Sequence, residues 1–154
     1  MASPSTTLPG PPTYIYKIVP ASPPLPSPLP ESLPLSDLDA RDGYIHASTS
    51  AQILGTLNAY FSSVPSVIIL RIPYERVKER VRWEMAVGKR PEEKGGCWDT
   101  EGRMGGFPHI YETKSGELRL GREEVESVGT WNRGGERWGH QGWPFGGEDI
   151  PKEN

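Results

Sequence analysis

Three side chains of the 154-residue sequence carry acid–base and ligand-orienting groups without being embedded in charge. They are His46 in DGYIHAST, Glu84 in RWE and His109 in GGFPHIY. Each stands at a strand or strand-edge position flanked by small residues, proline or aromatics. Ser48 and Thr49 put hydroxyls next to His46, a set suited to orienting a sugar or a phosphate. Trp83 sets an apolar wall beside Glu84, and such a wall shifts the ionisation of a carboxylate. Tyr111, close to His109, offers a donor and a stacking surface. Plainer explanations compete, and on spacing alone they have the edge. His46 can hydrogen-bond backbone at a strand end, Glu84 can pair with Arg82 or Arg103, and His109 can be a turn residue after Pro108.

Other chemistries find no support. His46, Cys97, His109 and His140 are isolated from one another in the chain, with no H-x-x-x-H or C-x-x-C, so no metal is expected. There is no GxGxxG, no P-loop and no GxSxG. Ser48 and His46 share a strand face at i, i+2 but lack the third member of a triad. Gly95-Gly96 and Gly105-Gly106 are not followed by a helix that would seat a phosphate, so they read as loop flexibility.

The elements that must position these groups are visible as patterns. Residues 13–19 (TYIYKIV) alternate in period two and read as a strand. Residues 20–35 (PASPPLPSPLPESLPL) are extended and polyproline-II-like, because proline removes the backbone donor and fixes φ. This segment is either a ligand for a partner's aromatic groove or, preferably, a rigid loop laying Leu25, Leu29, Leu33 and Leu35 on the domain. Asp42-Gly43 marks a turn into a short strand at 44–47. Thr49 and Gln52 have capping-box spacing, and Ile53, Leu54, Leu57, Tyr60 and Phe61 define one helical face. Residues 67–72 (VIILRI) form a continuous apolar run between prolines, the mark of a strand covered on both sides. Residues 74–84 begin as a charged helical turn and then extend. A long Gly-rich, charged loop covers 88–106. Residues 107–111 are extended, and 117–120 with 125–128 read as a final strand pair.

The sum is one α+β domain over 13–130, with small mixed or antiparallel sheets and one main helix. A disordered leader is expected over 1–12 and a Gly/Trp-rich tail over 131–154. The 34% hydrophobic content, with 18 Gly and 17 Pro, points to a compact middle and poorly packed flanks. A net charge of −3 argues against gripping duplex nucleic acid or an anionic membrane. One cysteine excludes an intramolecular disulfide. The longest strongly apolar run is four residues, against the ~20 that span a bilayer, and the N-terminus lacks signal-peptide character. Cytoplasmic or nuclear residence is the expectation, with a small-molecule or nucleotide ligand as partner. The sequence sets no oligomeric state.

The strings LPLSDLDARDGYIHASTSAQ (33–52), VIILRIP (67–73), RWE (82–84) and FPHIY (107–111) resemble the family called domain of unknown function 952. The resemblance covers about residues 14–130, and its two histidine motifs together are specific. It implies a fold similar to the ADP-ribosyltransferase superfamily, with an NAD-type ligand in a cleft between two small sheets. By that resemblance His46 with Ser48 and Thr49 holds the nicotinamide half. Tyr111 or Trp83 stacks on the ring, and Glu84 and His109 complete the site. The sequence departs from the family pattern at Tyr44, at Glu112, in the proline-rich 20–35 loop and in the 88–106 insertion. None of these removes a motif residue, but the insertion is expected to lid or reshape the pocket, so the resemblance does not assign a substrate to this chain.

The implied activity is transfer or hydrolysis of an ADP-ribosyl unit. Its oxocarbenium-like transition state calls for a carboxylate near the ribose. A neutral histidine would donate to the ribose or a phosphate without leaving a buried charge. Two other functions fit the same residues. One is a non-catalytic nucleotide- or metabolite-binding module using the same cleft. The other is an interaction protein using the proline-rich loop and the tail with Trp131, Trp138 and Trp143. Arg133-Gly134-Gly135 resembles a single-strand RNA-binding repeat, but one copy in an acidic chain is weak. Tryptophans docked on the domain are the preferred account of the tail.

Overall fold

The apolar run at 67–72 becomes the central strand around which the chain is organised. The computed structural model describes residues 11–84, 106–147 and 149–151. The leader expected over 1–12, apart from its last two residues, and the 88–106 loop, apart from Gly106, lie outside the described residues. The order is β1 (Tyr14–Pro20), α1 (Asp37–Asp42), β2 (Ile45–His46), α2 (Ser50–Tyr60), β3 (Ser66–Pro73) and α3 (Tyr74–Val77). A 3-10 turn (Lys78–Arg80) leads to β4 (Val81–Glu84), β5 (Phe107–Ile110) and β6 (Ser127–Asn132).

The strands form two three-stranded sheets, β1-β3-β6 and β2-β5-β4, antiparallel throughout. They are tied where Tyr16 and Ser48 exchange both backbone hydrogen bonds at 2.8 Å. The chain is therefore an α+β protein with small antiparallel sheets. Among the described residues no helix is long and apolar enough to cross a membrane.

Side chains alternate across a strand, so β3, buried on both faces, serves two cores. Ile68, Leu70 and Ile72 join Ile15, Ile45 and Ile110 in a core shared by both sheets. Val67 and Ile69 face the other way, against Ile53, Leu54 and Leu57 of α2 and the tryptophans Trp131, Trp138 and Trp143. The inner faces of the two sheets thus meet in packed hydrocarbon, and an open cleft between them is not shown. The proline-rich segment lies against the first core through Leu25, Leu29 and buried Leu33, whereas Leu35 is exposed.

Two local expectations differ from the fold. A helix, α1, occupies 37–42, where only a turn at its end was legible. Ser36 caps it by accepting from the Asp39 N–H at 3.0 Å, and Gly43 closes it in the left-handed region at φ 79°. The expected strand pair at 117–120 and 125–128 is replaced by a turn followed by β6, which starts at Ser127. Polar bonding accounts for this. Buried Glu124 accepts from the Gly121 N–H at 2.8 Å and from Arg119 Nη2 at 3.0 Å, which bends the chain where a ladder would have to run.

Candidate functional site

Strand alternation divides the second sheet into an apolar inner face and a polar outer one. Ile45, Ile110 and Val81 line up across the three strands on the side of the shared core. The next row along the outer face is His46, His109 and Arg82, because His46 pairs with His109 and His109 with Arg82. Two residues further on, Glu84 projects to that same outer face, and Tyr44 and Tyr111 flank the row. The side chains far apart in sequence therefore converge through sheet register.

The Glu84 carboxylate is buried, and its Oε1 accepts from Tyr111 Oη at 2.6 Å and meets His109 Nδ1 at 3.0 Å. Among the described residues Oε2 accepts no hydrogen bond. The Tyr44 ring stacks on His109 with centroids 4.2 Å apart, and the His46 ring meets His109 edge-on at 5.2 Å. Burial pushes the His109 pKa below its ordinary value, an effect the Glu84 hydrogen bond only partly offsets and His46 reinforces. The His109 ring is therefore neutral at neutral pH. With Nδ1–H spent on Glu84, its Nε2 is an acceptor rather than the donor expected from sequence. Burial and then Glu84 raise the Tyr111 pKa, so its phenol stays protonated and donates.

His46 is oriented from α1. Its Nδ1 lies 2.7 Å from Asp39 Oδ1, which also accepts its backbone N–H at 3.1 Å. Its Nε2 lies 3.1 Å from Asp42 Oδ2. The other Asp39 oxygen pairs with Lys17 Nζ at 2.7 Å, and both of these charged side chains are buried. Burial works against the Asp39 anion, but the His46 hydrogen bond and Lys17 outweigh it, bringing the pKa down to about 2. Burial lowers the Lys17 pKa despite Asp39.

Of the residues singled out from sequence, His46, Glu84, His109 and Tyr111 come together. Trp83 does not join them: on β4 it projects opposite to Glu84, packs at the edge of the shared core, and donates from Nε1 to Tyr74 Oη at 3.1 Å. Ser48 and Thr49 are buried where the sheets join, Ser48 bonded through its backbone to Tyr16 and Thr49 donating its N–H to Gln52 Oε1 at 3.0 Å. Sequence reasoning missed Asp39, Asp42 and Tyr44. The Ser36–Gly43 frame was a usable helix signal, placing Asp39 and Asp42 one turn apart. Tyr44 shares a strand face with His46 by period two. Among the described residues no group of three or more His, Cys, Asp or Glu side chains is placed to hold a metal.

Beside the cluster runs a groove of about 710 Å³, with Tyr111, Arg82, Thr113 and Lys114 among its walls. The Arg82 guanidinium sits 4.3 Å over the Tyr111 ring centroid, joining the groove to the cluster.

Fold and site thus define an α+β domain with a carboxylate–histidine–tyrosine cluster on the outer face of its second sheet. The chain belongs to the family described as protein of unknown function, DUF952, whose model matches residues 30–128. It is similar to the X-ray structure of protein CC0527 from Caulobacter crescentus, with a TM-score of 0.51 and 23% identity over 78% of this chain and 87% of that one. A double mutant of CC0527 gives the same values. That likeness shows the fold. No curated protein matches the chain.

Proposed function

We propose that the outer face of the second sheet binds an NAD- or nucleotide-type ligand, and that Glu84 promotes transfer or hydrolysis of its ADP-ribosyl unit. The observation that carries this reading is the Glu84 carboxylate. It is buried and held at one oxygen by His109 and Tyr111, and its second oxygen has no partner among the described residues. A carboxylate so fixed can face the positive charge that develops on a ribose as the bond to nicotinamide breaks and its electron pair leaves with the base. The His109 Nε2 acceptor suits a ribose hydroxyl. Tyr44 and Tyr111 supply aromatic surface, and the groove beside Tyr111 is within the size range of small-molecule sites, with Arg82 and Lys114 suited to phosphates. The superfamily fold implied by the family's histidine motifs is a further reason to expect the same ligand class.

The test is release of nicotinamide from NAD, followed by chromatography, for the parent chain and Glu84→Gln. The Gln side chain keeps the shape and loses the charge, so the rate should fall on the order of 10²–10³. Equal rates remove Glu84 from the mechanism. Binding of NAD without product would mark the same face as a non-catalytic nucleotide-binding module.

A further inference from the structure

We infer that the face of the first sheet beneath α2 holds a phosphate-binding site, which the chain's own Asp149 partly fills. Tyr16 on β1 and Arg71 on β3 are direct cross-strand partners, so their side chains stand side by side on the face turned away from the shared core. Ser50, the first residue of α2, completes the group. Into it comes the Asp149 carboxylate, accepting from Tyr16 Oη at 2.5 Å and from Ser50 Oγ at 2.7 Å. The seat is built to receive an anion: two hydroxyl donors converge at a helix N-terminus, where negative charge is favoured.

Asp149 does not use the whole seat. Arg71 is only 8% exposed, its guanidinium lies over the Tyr14 ring at 3.7 Å, and its Nε and Nη2 have no hydrogen-bond partner among the described residues. These two nitrogens form the side-on edge of the guanidinium, the pair that grips a carboxylate or phosphate with two parallel bonds. A buried charge with an unfilled donor edge is costly to maintain for packing alone. Each of the two Asp149 oxygens accepts from one hydroxyl, and neither forms an ion pair with Arg71 among the described residues. A phosphate offers three or four, enough for both hydroxyls and the Arg71 edge together.

The attachment of Asp149 also suits a replaceable occupant. Trp143 and Pro144 are anchored, the first in the second core and the second against Gly129, where a Cβ would lie 2.4 Å from the Pro144 ring. Beyond them Gly146 turns at φ 80°, and Asp149 itself has φ 58°, a left-handed conformation that Asp adopts more readily than most residues with a side chain. The contacts that hold the tryptophans do not include Asp149. The ligand class is free phosphate or a small phosphate monoester.

The experiment uses the full chain and Asp149→Asn, with inorganic phosphate and glycerol 3-phosphate titrated against chloride at matched ionic strength. Phosphate should raise the Tm of Asp149→Asn by several degrees in a saturable way, and that of the parent chain by less. Preference for the ester would identify a monoester as the ligand, and preference for the inorganic ion would identify free phosphate. Adding Arg71→Gln or, as a milder change, Ser50→Ala to Asp149→Asn should abolish or weaken the response. Phosphorus NMR line-broadening of the free ion reports the same binding without a melting curve. The inference is overturned if phosphate acts no differently from chloride on Asp149→Asn, or if the Ser50→Ala and Arg71→Gln forms respond as strongly.

Discussion

Removing the charge of Asp39 tests whether α1 holds the site together. Asp39 and Lys17 are a buried ion pair at 2.7 Å, with side chains 2% and 10% exposed. Asp39→Asn keeps an acceptor for the His46 backbone N–H but leaves Lys17 buried without a counter-charge. Breaking one side of such a pair costs about 3–5 kcal/mol. For a chain of this length that corresponds to a Tm lowered by roughly 6–20 °C. Lys17→Met should cost a similar amount, and the double variant no more than either single change, since the penalty is for the orphaned charge. The coupling should therefore reach about 3–5 kcal/mol, the size of one single change. Urea unfolding followed by tryptophan fluorescence measures all four forms, provided the slope m is unchanged. The pH dependence gives a second reading. The folded Asp39 pKa of about 2 lies below its ordinary 3.8, so its contribution is complete above about pH 4 and is lost as pH falls through 2. The loss amounts to about 2 kcal/mol in the parent chain and should be missing from Asp39→Asn. Single variants that cost under about 1 kcal/mol, or costs that simply add, would refute the assignment of Asp39 as the buried link between Lys17 and His46.

Two further outcomes follow from the packing. The lowered His109 pKa means that the neutral ring's contribution to stability is complete above about pH 6.5 and is lost as pH falls below it. His109→Gln should flatten that part of the stability–pH curve, and nitrogen NMR should find the ring still neutral below pH 6.5. Gly121 has its backbone so close to Glu31 that a Cβ would fall 2.1 Å from the Glu31 carbonyl oxygen. Gly121→Ala should therefore destabilise by about 1–3 kcal/mol in thermal or urea unfolding, through displacement of the proline-rich segment.

Much of the framework was legible because it rests on hydrophobic periodicity. The apolar run of β3, the alternation of β1 and the apolar face of α2 each carry their own signal. The convergence of His46, Glu84 and His109 was signalled by motif resemblance, and sheet register supplies its physical cause. Helix α1 escaped because six residues with one leucine have no apolar period, so only its caps announced it, and Asp39 went with it. Trp83 was paired with Glu84 by adjacency, whereas a strand sends neighbours to opposite faces. The region after residue 116 misled because Leu118, Leu120 and Val125 look like strand residues. Their apolar side chains do pack on the shared core, but the backbone between them is bent by Glu124 and Arg119. The buried Trp131, Trp138 and Trp143 have no periodicity, since each is held by its own contact. Trp131 Nε1 donates to the Gln141 carbonyl at 3.1 Å and Trp138 Nε1 to the Phe61 carbonyl at 2.9 Å.

The three histidines provide their own internal control for the location of the ligand face. Ring resonances of His46, His109 and His140 can be followed by nitrogen–proton NMR as NAD or ADP-ribose is added. Binding at the second sheet should move His46 and His109 with one common saturation curve and leave His140, in the C-terminal segment, in place. Saturable movement of His140 alone, or no change at any of the three rings at millimolar nucleotide, would contradict it.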